Sequence, residues 1–560
     1  MFLKTLENQT TPEQKKLWYE PAMNYEILGA YGQTELGHGS NVRGLETTAT
    51  YFPETQEWEL HTPTLTAAKF WIGTLGRIAD HSVVMAQLIT NGKSYGVHPF
   101  IIPIRDMKTR QPLPGRIVGD IGPKSGFGFV DNGMLILDHV RVPHINMLAA
   151  FSQVDKKSGA YIKPLNDKLS YATMVFIRSG IVQNAGMVLA RAATVAVRYC
   201  ALRRQFADKD IADNGAGEIQ VLDYQMVQAR IFPVLVQALA SQFTGRQMFK
   251  LYEDNQRNIT QGDLSLLADT HASSSGLKSV CSIMAAEGIE TCRRACGGHG
   301  FSLASGLGSL YTDCTALTVS YSRSSNSDSY MLTQQCARYL LATYRNVTKA
   351  PTAPTVNVTQ EYMSAFIRDP SNHTTITSSS QLRDPAVLTA AFAHRAAFQT
   401  ARIARLQDKG GRKWNSLLVD LFKLSNAHCQ FVLVKNWADT LRTDETLAKD
   451  PKLSHVMKIC FALFAEFMVS GFTSLEGHEL VEAEVVKLLS EMRPQAVALV
   501  DGFALPDYLL NSALGQFSGD AYKSMLDFAS REPLNGVTFN PRYREEELVV
   551  GEGAPRSSKL

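Results

Sequence analysis

The pattern of the chain changes once, near residue 160, and that change limits the folds open to it. Residues 25–160 carry short segments rich in β-branched and aromatic residues: TATYF, WELHT, HPFIIPI, GRIVGDI and MLILDHVRVP. Gly, Pro, Asn and Asp separate them, the punctuation of strands joined by turns. From 161 to 345 the period lengthens. GIVQNAGMVLARAATVAVRYCALRRQF holds apolar and small residues at helical spacing with no internal proline. VLDYQMVQARIFPVLVQALASQFTG repeats the pattern, and Pro233 predicts a kink in it. A Thr-, Pro- and Asn-rich stretch, placed at 346–370, reads as a linker. A second helical region is expected over 371–545, with a polar tail at 546–560. The order predicts an α+β protein: a β domain, then two helical bundles.

Composition narrows the function class. Hydrophobic residues make up 45% of the chain and charged ones 19%, a globular profile. Fifty-six basic residues against 53 acidic ones leave no field to recruit nucleic acid. The eight cysteines form no CxxC pair, which predicts buried, reduced thiols and no metal centre. The opening MFLKTLENQTTPEQKK breaks its apolar character at Lys4 and does not read as a signal peptide. The run ICFALFAEFMVSGF is interrupted by Glu466 and is too short to span a bilayer. Ser558, Lys559 and Leu560 match the C-terminal tripeptide read by the peroxisomal import receptor.

Four motifs could carry chemistry. In YGQTELGHGSN, residues 31–41, glycines let backbone N–H groups approach a planar or anionic ligand, and Thr34 and Ser40 offer hydroxyls. A plain turn between strands is the competing reading. In TLTAAKFWIGTLG, residues 64–76, Phe70 and Trp71 precede Gly73 and could wall a flat ring, or could be core. In RYCALRRQF, residues 198–206, the arginines could hold a phosphate or complement a helix C-terminus. In ACGGHGF, residues 295–301, a helix stops on two glycines, as a C-cap or to admit a cofactor.

Taken in order, these motifs, with GDIGPKSGFGFVDNGMLILDHVRVP, YMLTQQCARYLL, NSALG and GDAY, resemble the peroxisomal acyl-CoA oxidases. These are flavoproteins of the acyl-CoA dehydrogenase superfamily. The resemblance runs along nearly the whole chain. It implies a β-barrel-like middle domain and helical bundles that grip FAD, as a homodimer or as a heterodimer with a related oxidase. It implies fatty acyl-CoA and molecular oxygen as partners, with trans-2-enoyl-CoA and hydrogen peroxide as products. Carried over residue by residue, Thr34 matches a flavin-contacting threonine and Gly73 the glycine facing the ring. Gln33, Ser40, Arg203, Gln205, Phe206, Gly297 and Gly298 match further cofactor positions, and Arg178 a position near CoA.

The chain departs from the family pattern twice. Family members keep their proton-abstracting glutamate in a motif resembling LTWEGDNYMLTQQ; here ALT and YMLTQQ are separated by VSYSRSSNSDS. The glutamate falls on Ser320 or on Asn326, depending on the flank used for alignment, and neither accepts a proton from carbon at neutral pH. Asp328 matches the family's aspartate, not its base. The nearest glutamates, Glu290 and Glu361, are thirty or more residues away. Second, only 30 residues precede YGQTELGHGSN, where the family has a helical domain, so residues 1–24 read as its remnant and exposed apolar surface is expected on the β domain. Two readings follow: an acyl-CoA oxidase, or a non-catalytic flavin- or acyl-CoA-binding partner of one. An electron-transferring dehydrogenase is a weaker third, because the region beyond the linker matches the oxidases.

Overall fold

The computed structural model describes residues 1–163, 172–207, 217–319, 329–371, 376–469 and 475–536. Ser320, Asn326, Ser558, Lys559 and Leu560 lie outside the described residues.

The β-rich region forms two main sheets. Strand β5 (His81–Thr90) organises the larger one: β1 (Gly29–Gly32) and β2 (Thr48–Phe52) run parallel to it at successive positions, and β6 (Lys93–Pro103) lies antiparallel. Beyond β2 follow β3 (Glu57–His61) and β9 (Val140–Pro143), both antiparallel. A three-stranded sheet holds β4 (Lys69–Gly73), β8 (Asn132–Leu137) and β7 (Arg116–Asp120) in the order β4-β8-β7. Side chains alternate across the pleat. Inward-facing Trp58 and Phe100 are fully buried, with ring centroids 4.9 Å apart. The segment MLILDHVRVP divides into β8 and β9 because the chain reverses at Asp138 and His139, the latter with φ 47°.

Helix α1 (Phe2–Gln9) buries Phe2 and Leu6 in a cluster with Tyr31, Val83, Ile101 and Leu148. Outside that cluster Leu36, Leu65, Trp71, Ile117 and Phe129 are exposed on the β domain.

Three long helices form the first bundle: α2 (Ala172–Leu202), α3 (Gln225–Thr260) and α4 (Leu267–Ala295). Pro233 lies inside α3, which stays helical on both sides of it. Then come α5 (Leu307–Val319) and α6 (Ser329–Lys349). The expected linker is mostly helical. Helix α6 reaches Lys349, and α7 (Val358–Arg368) starts at Asn357, whose side chain caps the Gln360 N–H at 3.0 Å. The second helical region contains α8 (Pro385–Asp408), α9 (Leu418–Thr443), α10 (Pro451–Val469), α11 (Leu475–Met492) and α12 (Ala521–Ser530).

The two helical regions share one hydrophobic core. Phe243 of α3 packs on Trp437 of α9 at 5.5 Å, and Trp414 Nε1 donates to Gln334 Oε1 at 3.0 Å. Residues 175–202 and 414–443 are long and apolar enough to cross a bilayer, and both pack against this core. The eight cysteines are buried and free, as their spacing predicts.

Candidate active site

The first two motifs meet. Residues 34–37 lie antiparallel to 66–70: Leu36 N donates to Ala68 O, Gly37 N to Thr66 O and Phe70 N to Thr34 O, each at 2.9 Å. The glycine loop therefore sits against the aromatic strand that ends in Gly73. Glu35 and His38 exchange backbone hydrogen bonds at 3.2 Å, which folds the loop into a tight turn and leaves Ser40 exposed.

Strand β4 is irregular here. Its pairing to β8 shifts between Lys69 and Ile72, and Trp71 and Thr74 take φ 67° and 66°. Such bulges re-aim side chains and are over-represented at sheet edges and next to active sites. The Trp71 ring is turned out, 54% exposed, which overturns its reading as core; Gly73 stays buried between these two strained residues.

The polar interior behind the loop was not anticipated from sequence. Lys69 is fully buried, and its ammonium donates to Glu35 Oε1 (2.9 Å), Met85 O (2.8 Å) and Gln33 O (3.3 Å). Glu35 also accepts from Thr47 Oγ1 (2.6 Å), Thr47 N (3.0 Å) and Glu46 N (2.8 Å). Burial pulls the Lys69 ammonium down to about 8, against the attraction of Glu35. Burial would raise the Glu35 carboxyl, but Lys69 and the Thr47 and Glu46 donors outweigh it and hold it below its ordinary value. Among the described residues the amide oxygen of Gln33, 5% exposed, has no donor. A buried acceptor with no protein donor takes a water or a ligand.

The third and fourth motifs meet on the helical domain. Helix α2 ends before Arg203, which the Tyr199 and Tyr522 phenols flank. Gln205 and Phe206 follow in a strand-like turn: Gln205 N donates to Ile219 O and Tyr224 Oη to Gln205 O. Phe206 is exposed with φ 60°. Helix α4 stops where Gly297 takes φ 62°, and a Cβ on Gly297 or Gly298 would meet nothing within 4 Å. His299 brings this turn against Tyr199, centroids 6.0 Å apart, so both motifs border one open surface.

Arg178 lies apart from both clusters. It is 3% exposed between α2 and α4, where Nη1 donates to Ser275 Oγ at 2.8 Å.

The flanks of 320–328 converge. Ser329 Oγ donates to Thr318 O at 2.6 Å, and Lys278 Nζ lies 3.4 Å from Ser329 Oγ. Lys278 is 1% exposed; a lone lysine in the small-residue stretch HASSSGLKSVCS was the signal for it. The distant glutamates do not reach this point as bases. Glu290 is bound by Arg293 and Arg294, whose hydrogen bonds bring it down to about 2, and Glu361 is exposed on α7. His61, Asp138 and His139 place possible metal-ligand atoms within 4.8 Å of one another. The two imidazoles stack at 3.9 Å and 19°, so their lone pairs run alongside rather than converge on one ion.

Known proteins match this arrangement from end to end. The family model "Acyl-CoA oxidase, C-alpha1 domain" matches residues 171–341, "Acyl-CoA oxidase" matches 384–546, and "Acyl-coenzyme A oxidase N-terminal" matches 1–28. The chain is 39% identical to human peroxisomal acyl-coenzyme A oxidase 1 over 565 residues, covering 97% of this chain and 83% of the human one. Among solved structures, Arabidopsis thaliana acyl-CoA oxidase 1 superposes with a TM-score of 0.90 at 36% identity, over 97% of this chain and 83% of the other. Acyl-CoA oxidase-2 from Caenorhabditis elegans, bound with FAD, ascaroside-CoA and ATP, gives 0.87 at 36% identity, over 97% and 81%. The chain belongs to the acyl-CoA oxidase family.

Proposed function

We propose that the protein is an FAD-dependent acyl-CoA oxidase of peroxisomal fatty acid β-oxidation, converting acyl-CoA and O2 to trans-2-enoyl-CoA and H2O2. The observation that carries this reading is the junction of residues 33–37 with β4, where Gln33 Oε1 is buried without a donor beside a strained strand end. The residues fit the cofactor. Gln33 offers an acceptor and Thr34 and Ser40 hydroxyl donors, while Gly73 lets the ring approach the backbone. At the dinucleotide end, Arg203 offers charge to phosphate, Gln205 and Phe206 flank it, and Gly297 and Gly298 leave room. When bound, FAD supplies the hydride acceptor and the route of electrons to oxygen.

The chain's own task is to polarise the thioester carbonyl, exclude water and take a proton from Cα. The acceptor of that proton belongs by family position to 319–329, VSYSRSSNSDS, which contains no glutamate. That single feature favours a second reading, a non-catalytic flavin- or acyl-CoA-binding subunit paired with an active oxidase. Arg178 is assigned to the CoA side of the site, and Ser558, Lys559 and Leu560 to the import receptor.

The two flavin clusters lie on different domains, and the helical one is ringed by exposed Phe206, Phe301, Leu303 and Phe517. A second acyl-CoA oxidase chain, a copy of this one or a related subunit, is proposed to cover that face. The test is purification followed by anaerobic addition of a saturated acyl-CoA. Yellow protein that bleaches, and releases peroxide in air, supports the oxidase. Retained flavin that does not bleach selects the binding subunit; flavin-free protein defeats the oxidase, and flavin-free protein that also fails to bind the acyl-CoA defeats both.

A further inference from the structure

We propose that the buried Lys69–Glu35 pair is a positioning device for the flavin ring, holding the Gln33 amide oxygen where a ring N–H of the bound cofactor meets it. The inference rests on the flavin reading above and adds Lys69 and Glu35, which that reading does not use.

Three observations carry it. First, the pair joins the two segments that carry the candidate ring contacts. Lys69 begins the strand that ends in Gly73, and its ammonium holds the carbonyl of Gln33 itself. Glu35 is two residues beyond Gln33 and bridges Lys69 across the strands. Second, the strand departs from regular pairing immediately after Lys69, and Trp71 and Thr74 occupy left-handed backbone. A strand strained in this way holds its shape only if its surroundings fix it, and Lys69 is the last regularly paired residue before the shift. Third, the Gln33 side-chain oxygen is buried and lacks a donor although its backbone oxygen is tied down. No donor among the described residues reaches that acceptor, so a water or a ligand is left to fill it. The imide N–H of a flavin pyrimidine ring is a donor of the complementary kind.

A buried ion pair is seldom a net source of stability, since well-packed apolar residues do as well. Here each partner is saturated by further hydrogen bonds, so the pair specifies geometry at little cost to the fold. An apolar pair of similar volume would keep the strands together but release the Gln33 carbonyl.

The test compares wild type, Lys69→Met, and the double variant Glu35→Gln with Lys69→Met, which removes both charges together. Folding is followed by far-ultraviolet circular dichroism and melting, cofactor by titration of apoprotein with FAD, and ring environment by the visible spectrum and reduction potential of bound flavin. The single variant strands the Glu35 charge and is expected to melt earlier; the double variant is expected to recover most of that loss. If the pair positions the ring, the double variant still binds FAD at least tenfold more weakly, with a shifted flavin spectrum. A double variant that binds FAD with the wild-type dissociation constant and an unshifted spectrum overturns the inference, leaving the pair structural. Wild-type apoprotein that takes up no FAD overturns the flavin reading itself, and this inference with it.

Discussion

Two buried glutamates, one in each half of the molecule, meet opposite fates. In the β domain, Glu35 is surrounded by donors from Glu46, Thr47 and Lys69 and is held as a carboxylate. In the second helical region, Glu466 on α10 is fully buried, and among the described residues neither of its oxygens has a partner. Burial pushes its carboxyl up to about 9, Glu484 adds to the rise and Arg383 opposes it. Arg383 is already engaged, donating to Glu484 at 2.5 Å and to Glu491 at 2.7 and 2.9 Å. The difference is one of preparation. Where the glycine loop joins β4, the chain supplies the hydrogen bonds that a buried charge needs; in the helical core it leaves the acid protonated.

The largest effect expected from this contrast is at Glu35. Glu35→Gln leaves the Lys69 ammonium buried without its counter-charge and should cost about 3–5 kcal/mol, read from urea midpoints at pH 7. The folded Glu35 carboxyl titrates below its unfolded value. Its stabilisation is therefore complete above about pH 4.5 and is lost as pH falls through the lower folded value. The gap between variant and wild type should narrow in acid. A variant as stable as wild type at pH 7 would remove the contrast.

Glu466→Gln should act in the opposite direction. The folded state keeps a proton on Glu466 from about 4.5 up to about 9, where the unfolded chain has released it, so stability falls as pH rises across that window. Glutamine removes this dependence. The expected gain is up to about 3 kcal/mol at pH 7, shrinking to about 0.8 kcal/mol at pH 5. Thermal melts at both pH values check it, and a loss at pH 7 would mean that the acid is engaged after all.

Much of the scaffold was legible in the sequence, for local reasons. TATYF coincides with β2 because β-branched and aromatic residues lie between turn formers, and the end of α4 at Gly297 follows from a glycine needed at positive φ. The helices within 346–370 are hidden because Thr, Pro and Asn dominate 346–360, yet Asn357 caps a helix and α6 runs on through Asn346 to Lys349. Within the candidate site, the loop and strand motifs could be read, but not their shared anchor. Glu35 and Lys69 both stand inside the quoted motifs, where a charge in a short strand reads as a solvated edge. Only their approach across 34 residues shows that they are buried. The single core beneath both helical regions was hidden likewise, since it depends on contacts such as Phe243 with Trp437.

The smallest effect sharpens how Glu35 is held. Thr47→Val keeps the side-chain shape and the backbone donor but removes the hydroxyl 2.6 Å from Glu35 Oε1. One hydrogen bond to a charged group predicts a loss of about 1.5 kcal/mol, while Lys69 and the backbone N–H groups remain to satisfy the carboxylate. In a Glu35→Gln background the same substitution should cost less, because the hydroxyl then faces a neutral amide. A coupling of about 1 kcal/mol in that double-mutant cycle would show that the hydroxyl acts through the Glu35 charge. Strict additivity would mean that the Thr47 hydroxyl does not act through the Glu35 charge, and that its contribution runs instead through its contact with Ala67 O at 3.2 Å.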